Sequence, residues 1–168
     1  MTELAITVVG QDRPGIIAEV SGVLADLGLN LTDSTMTLLR GHFAMTLICT
    51  GLARPEPVES VLAPLGLAVT VREVAEEIAG PPAGPGYLLT VYGADRLGIV
   101  AAVTRALADA GGNITDLTTR LAGELYLLVA EVDLPSTVDV PALTRELSVI
   151  AGSLGVEASL RPAEPEVL

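Results

Sequence analysis

Hydrophobic positions along this chain change period in a set order, and the order occurs twice. Leu4 to Val9 is a short β-branched and apolar run that stops at the turn-forming cluster Gly10-Gln11-Asp12-Arg13-Pro14-Gly15, as a strand does at a loop. From Pro14 to Leu27 the apolar residues Ile16, Ile17, Val20, Val23, Leu24 and Leu27 recur at helical spacing, with Glu19 and Asp26 opposite. That spacing predicts a helix with proline near its start and Gly28 placed to end it. Asn30 to Leu39, a turn at Arg40-Gly41-His42 and the run Phe43 to Thr50 read as a hairpin. A short helix over Pro57 to Leu65 and a strand over Ala68 to Val74 complete the unit. In Phe43 to Cys49 apolar residues occupy both strand faces, as expected of a strand covered on both sides.

The second half repeats the order. Leu88 to Tyr92 predicts a strand, Leu97 to Ala110 a helix, and Ala122-Gly123-Glu124 the turn of a hairpin. Val140, Leu143, Leu147, Ile150 and Leu154 fall on one helical stripe, and Val156 to Leu160 supplies the last strand. Leu125 to Val132 is apolar on both faces, like its counterpart in the first half. The stretch Gly80-Pro81-Pro82-Ala83-Gly84-Pro85-Gly86 has no apolar periodicity and reads as a linker. The expected organisation is one domain over 1–78, a linker over 79–86, a second domain over 87–162 and a frayed tail over 163–168. Each domain then has the βαββαβ order of the ferredoxin-like split βαβ: an α+β fold, with an antiparallel four-stranded sheet and two helices on one face. The other sheet face has to find a cover.

The repetition extends to identity. Residues Leu4 to Leu38 and Tyr87 to Leu121 align without a gap at an offset of 83, with 18 of 35 pairs identical. Among them are Gly10/Gly93, Asp12/Asp95, Arg13/Arg96, Gly15/Gly98, Asn30/Asn113 and Asp33/Asp116. Retention of charged residues and glycines points to two equivalent sites.

Composition narrows the chemistry. The formal net charge is −12 and there is no basic stripe, so direct nucleic-acid binding is not expected. No apolar run approaches the ~18–20 residues that cross a bilayer, and Met1-Thr2-Glu3 starts no secretory signal. A cytoplasmic location and no membrane partner are expected. With Cys49 and His42 the only residues of their kinds, neither an internal disulfide nor a cysteine/histidine metal cage can form, and Cys49 reads as a small hydrophobe in a strand. No nucleophile and base, paired carboxylates or metal set suggests catalysis. His42 lies in a hairpin turn, Glu73, Glu76 and Glu77 form a charge run, and Tyr87, Tyr92 and Tyr126 read as strand packing. The expectation is a protein without enzymatic activity, catalytic residues, bound metal or cofactor.

The repeated loop is the place for chemistry. A helix start leaves about four backbone N–H groups free and carries partial positive charge, so it accepts carboxylates. Gly15 and Gly98 allow a tight backbone, Asp12 and Asp95 can cap the turn, and Asn30 and Asn113 offer a donor and an acceptor to an amino acid's charged groups. The same residues would also recur at strand-to-helix turns purely to cap them, and Arg13 and Arg96 could serve as surface ion-pair partners.

Gly10-Gln11-Asp12-Arg13-Pro14-Gly15-Ile16 followed by Gly28-Leu29-Asn30-Leu31, with the copy Gly93-Ala94-Asp95-Arg96-Leu97-Gly98-Ile99 and Gly111-Gly112-Asn113-Ile114, resembles the ACT domain. The resemblance covers both halves, and a two-domain chain without an attached enzyme is most similar to the glycine cleavage system transcriptional repressor type. It implies amino-acid sensing by units that pair, with the ligand between the first loop of one and the second strand of its neighbour. Carried over, the ligand residues are Asp12, Pro14, Gly15, Ile16, Asn30 and Leu31, and Asp95, Gly98, Ile99, Asn113 and Ile114. Leu97 departs from the pattern at the place of Pro14. The implied effector is a small amino acid such as glycine or serine. The implied assembly is a homodimer signalling to a protein partner, in transcriptional regulation of amino-acid metabolism. The alternatives are a ligand-independent dimerisation module or a detached regulatory subunit of a metabolic enzyme.

Overall fold

The computed structural model describes residues 1–75 and 84–164, in two compact units, Met1–Ile78 and Ala79–Leu168. Glu76, Glu77, most of the linker and residues 165–168 lie outside the described residues. The first unit runs β1 (Thr2–Gln11), α1 (Ile16–Asp26), β2 (Asn30–Leu39), β3 (His42–Gly51), α2 (Pro55–Leu62) and β4 (Ala68–Val74). The second runs β5 (Gly86–Ala94), α3 (Ile99–Asp109), β6 (Asn113–Ala122), β7 (Leu125–Asp133), α4 (Val140–Ser153) and β8 (Val156–Pro162). The sheets are antiparallel with orders β2-β3-β1-β4 and β6-β7-β5-β8. These are the two ferredoxin-like units that the periodicity predicts.

Each unit has its own core. Leu4, Ile6 and Val8 of β1 and Phe43, Met45, Leu47 and Cys49 of β3 lie under Ile16, Val20 and Leu24 of α1 and Val58 and Leu62 of α2. Each fully buried aliphatic side chain here contributes about 1.5–3 kcal/mol. Cys49 is fully buried, and burial pushes its thiol pKa up. In the second unit Leu89, Val91, Leu128, Ala130 and Val132 pack under Val103, Leu107, Leu143 and Leu147. The opposite faces of β3 and β7 are not covered by their own unit: Leu125 and Leu127 remain 53% and 39% exposed.

Boundaries differ from the periodicity at informative places. The first helix begins at Ile16, not Pro14, because Gly15 adopts the left-handed conformation (φ 86°) immediately before it, and Gly98 (φ 91°) does the same before Ile99. The helix expected over Pro57 to Leu65 starts at Pro55 and ends at Leu62, followed by a 3-10 turn over Ala63–Leu65. Pro64 has no N–H for the next α-helical bond. Each strand of the β2–β3 and β6–β7 hairpins but β7 spans ten residues. Ala163 still donates to the Gly86 carbonyl at 2.9 Å, one residue beyond β8.

Candidate functional site

The two loops have one backbone design. Gly15 opens α1 and the Glu19 amide makes the first helical bond to its carbonyl at 3.0 Å; Gly98 opens α3 and Ala102 donates to it at 2.9 Å. The Ile16 amide turns back to the Arg13 carbonyl at 3.4 Å, and the other amides ahead of these bonds point out of the helix start with partial positive charge. A Cβ on Gly15 or Gly98 would meet nothing within 4 Å, so backbone conformation, not crowding, calls for glycine there. Leu97, fully exposed where the first loop has Pro14, leaves that conformation unchanged.

The sequence expectation that Asp12 and Asp95 cap their turns is not met. Neither helix has a side-chain cap, and among the described residues neither carboxylate accepts a hydrogen bond. The left-handed glycine takes the capping position three residues on, so both aspartates remain exposed with their acceptor capacity unspent. Arg13 is an ion-pair partner: it donates a two-pronged fork to Glu19 at 2.7 and 2.6 Å. Their hydrogen bond holds Glu19 below and Arg13 above their ordinary pKa values. The second loop differs, because Ala102 stands at the position of Glu19 and, among the described residues, Arg96 donates only to the Asp95 carbonyl at 3.1 Å. A cleft of ≈ 530 Å³ opens beside Arg96, lined by residues 95–101 and Tyr126.

Tyr126 is a lining residue that the sequence reading assigned only to packing. It pairs with Gly93 in the sheet register, and its counterpart at the offset of 83 is Phe43, which pairs with Gly10 and is fully buried. The substitution of a buried phenyl by a half-buried phenol was the available signal.

Asn30 and Asn113 open β2 and β6 and are exposed, with no hydrogen-bond partner for their side chains among the described residues. Ile16 and Ile99 are buried and can present only backbone to a ligand, whereas Leu31 and Ile114 are half-buried against the cores. The asparagines do not meet the loops of their own unit. Asn30 is level with Thr50 and Glu3, whereas the loop follows Gln11 at the other end of β1. In the second unit Asn113 is level with Asp133 and Gly86, and the loop follows Ala94. Eight residues of strand separate the levels in each case, about 27 Å at ~3.4 Å per residue.

Among the described residues no group of three or more His, Cys, Asp or Glu side chains is placed to hold a metal, and no helix is long and apolar enough to cross a membrane.

Comparison with known proteins assigns the repeated unit. The family model of the ACT domain matches residues 2–69 and again 87–160. A UPF0237 protein of Methanopyrus kandleri is 48% identical over 48 residues, which is 29% of this chain and 53% of that protein. One of Streptococcus pneumoniae is 55% identical over 40 residues, 24% and 46% respectively. The chain thus spans about half the length of the curated relatives it matches. A crystal structure of an unknown protein from Galdieria sulphuraria superposes with TM-score 0.79 at 28% identity, covering 97% of this chain and 99% of that one. That of a candidate glycine cleavage system transcriptional repressor superposes with TM-score 0.71 at 21% identity, covering 97% and 98%, a likeness of fold.

Proposed function

We infer the function from one premise: this chain belongs to the ACT domain family and carries the unit twice. It is a non-enzymatic regulator that senses a small amino acid at interfaces between ACT units and passes the signal to a protein partner. One observation carries this reading. In each unit the repeated loop and the repeated asparagine both keep unspent polar groups, yet lie about 27 Å apart. A single small molecule touches both only when the loop of one unit meets the strand start of another. The ligand's carboxylate then lies on the free amides of Gly15 and Ile17 or of Gly98 and Ile99, and its ammonium faces Asn30 or Asn113 and the carboxylate of Asp12 or Asp95.

Such a ligand stabilises the paired arrangement over the unpaired one by its differential affinity. Glycine and serine suit the glycine-lined loops, with no further cofactor. The excess of carboxylates favours control of transcription through a DNA-binding protein, not by contact with DNA. A second reading, an ACT pair that serves only as a constitutive interaction module, draws on the fact that Gly15 and Gly98 are already required by the helix starts.

Calorimetric titration and thermal shift of the full chain against the common amino acids separate the two. A ligand at 100 times its dissociation constant adds about 2.7 kcal/mol. Glycine or serine is expected to give saturable heat that Asn30→Ala with Asn113→Ala abolishes. Absence of heat and of any melting shift with every amino acid overturns the sensor in favour of the constitutive module.

A further inference from the structure

The second sheet's outer face, turned away from α3 and α4, carries charges that form no ion pair among the described residues. Strand alternation and the pairing register place Asp116, Glu131, Leu88 and Arg161 side by side across β6, β7, β5 and β8. Four residues along, the same four strands present Arg120, Leu127, Tyr92 and Glu157. Threonine, valine and serine fill the level between: Thr118, Val129, Thr90 and Ser159.

The four corners therefore alternate in sign: Asp116 and Arg120 on one edge strand, Arg161 and Glu157 on the other. Three strand spacings across and four residues along, the corners form a square of about 14 Å on each side. At that separation no corner reaches another, and among the described residues neither arginine is in an ion pair. Among the same residues Arg120 donates only to the Thr119 carbonyl, and Glu157 only accepts from the Tyr92 hydroxyl. Between Arg120 and Glu157 lie Leu127, 39% exposed, and Tyr92, 44% exposed. The first sheet has half the pattern. Asp33 and Arg72 share a level, but Thr37 and Ala68 stand where Arg120 and Glu157 would.

We propose that the outer face of the second sheet is closed by the same face of a second copy of the chain, back to back about a twofold axis lying between the sheets. A square of alternating charge is complementary to its own copy under such an axis, and a twofold makes each attractive pair twice. With the axis along the strands, Asp116 faces Arg161 of the second copy and Arg120 faces its Glu157. With the axis across the strands, Asp116 faces Arg120 and Arg161 faces Glu157. In both arrangements an arginine of the second copy also lies within one strand spacing of Glu131, and Val129 and Thr90 meet their copies at the centre. Both also keep the strands of the two sheets nearly aligned, as stacked sheets prefer. This face would supply the cover that the two-sided apolar patterning of Leu125 to Val132 calls for.

Sedimentation velocity of the full chain over a concentration series tests this with three surface variants, each prepared alone and in mixtures. Arg120→Glu, Glu157→Arg and Asp116→Arg each place like charges together in a self-pair, so each is expected to weaken self-association about tenfold or more. Mixing Arg120→Glu with Glu157→Arg restores wild-type association if the axis runs along the strands. Mixing Arg120→Glu with Asp116→Arg restores it if the axis runs across them. Single variants that associate as wild type does, or mixtures no more associated than their components, overturn the proposal. That is the result if strand edges, another part of the chain or a different protein occupies the role, and likewise if the wild type does not self-associate. Amino-acid binding is not part of the measurement, so its outcome is independent of the sensor reading.

Discussion

At the scale of single residues, the glycines shared by the two repeats separate into three physical causes. Gly15 and Gly98 are left-handed helix openers with open space around them, whereas a Cβ on Gly10 would come within 2.5 Å of Leu67 and one on Gly93 within 2.9 Å of Val156. Gly28 and Gly111 are left-handed C-terminal caps. Gly15→Ala and Gly98→Ala should each cost about 1–2 kcal/mol in urea denaturation, from the left-handed strain on an L-residue, and Asn at either place should cost less. The repeat shows these glycines as equal, since identity records that a residue is needed and not why. What remains after the fold has accounted for its share is the set without internal work: Asp12, Asp95, Asn30 and Asn113. A separate residue-scale consequence concerns Tyr92, whose hydroxyl donates to Glu157 across β5 and β8. The carboxylate raises the phenol's pKa, so the stabilisation is present below the ordinary tyrosine value and is lost as pH rises through the elevated one. Glu157→Gln should lower the Tyr92 midpoint in an alkaline absorbance titration, with Tyr92→Phe identifying the signal.

Among the elements, the helix ends are the part most readable from sequence. After α1 the Leu29 amide bonds the Leu24 carbonyl at 3.0 Å and Gly28 bonds Ala25 at 2.9 Å; after α3 Gly112 bonds Leu107 at 2.8 Å and Gly111 bonds Ala108 at 2.9 Å. Both are Schellman endings, for which glycine is the sequence signature. A β-bulge has no comparable signature. In β2 the register shifts between Leu31 and Asp33, and in β6 between Ile114 and Asp116, at the same place in each repeat. The extra residue is Thr32 or Thr115, whose hydroxyl donates to the carbonyl of Ile48 at 3.1 Å or Glu131 at 3.5 Å. The bulge exchanges the faces of everything after it, which puts Asp116 and Arg120 outward. Deleting Thr115 should restore regular pairing of Ile114 with Val132 and Asp116 with Glu131 and keep both charges outward, so it should lower the denaturant midpoint less than deleting Thr118, which would turn Arg120 toward the helix side.

The whole molecule is governed by an excess of twelve negative charges and by two units that repeat one design. Self-repulsion of the carboxylates is screened by salt, so the melting temperature should rise between ~0.01 M and ~0.15 M sodium chloride, over which the Debye length falls from about 30 to about 8 Å. A melting temperature independent of salt would place the charges far enough apart to ignore. Function at this scale depends on where the ends of the elements fall. The sequence by itself determined the element order, the pair of α+β units, the aliphatic cores and the positions of the repeated loops and asparagines, because periodicity, turn residues and helix signals are local properties of a chain. Only the tertiary structure decided that loop and asparagine lie at opposite ends of one sheet, that Arg13 is held by Glu19 while Arg96 borders a cleft, and that four charges form an alternating square. Those relations join residues far apart in the chain through strand register, which depends on pairing and on a one-residue bulge that leaves no mark in the hydrophobic pattern.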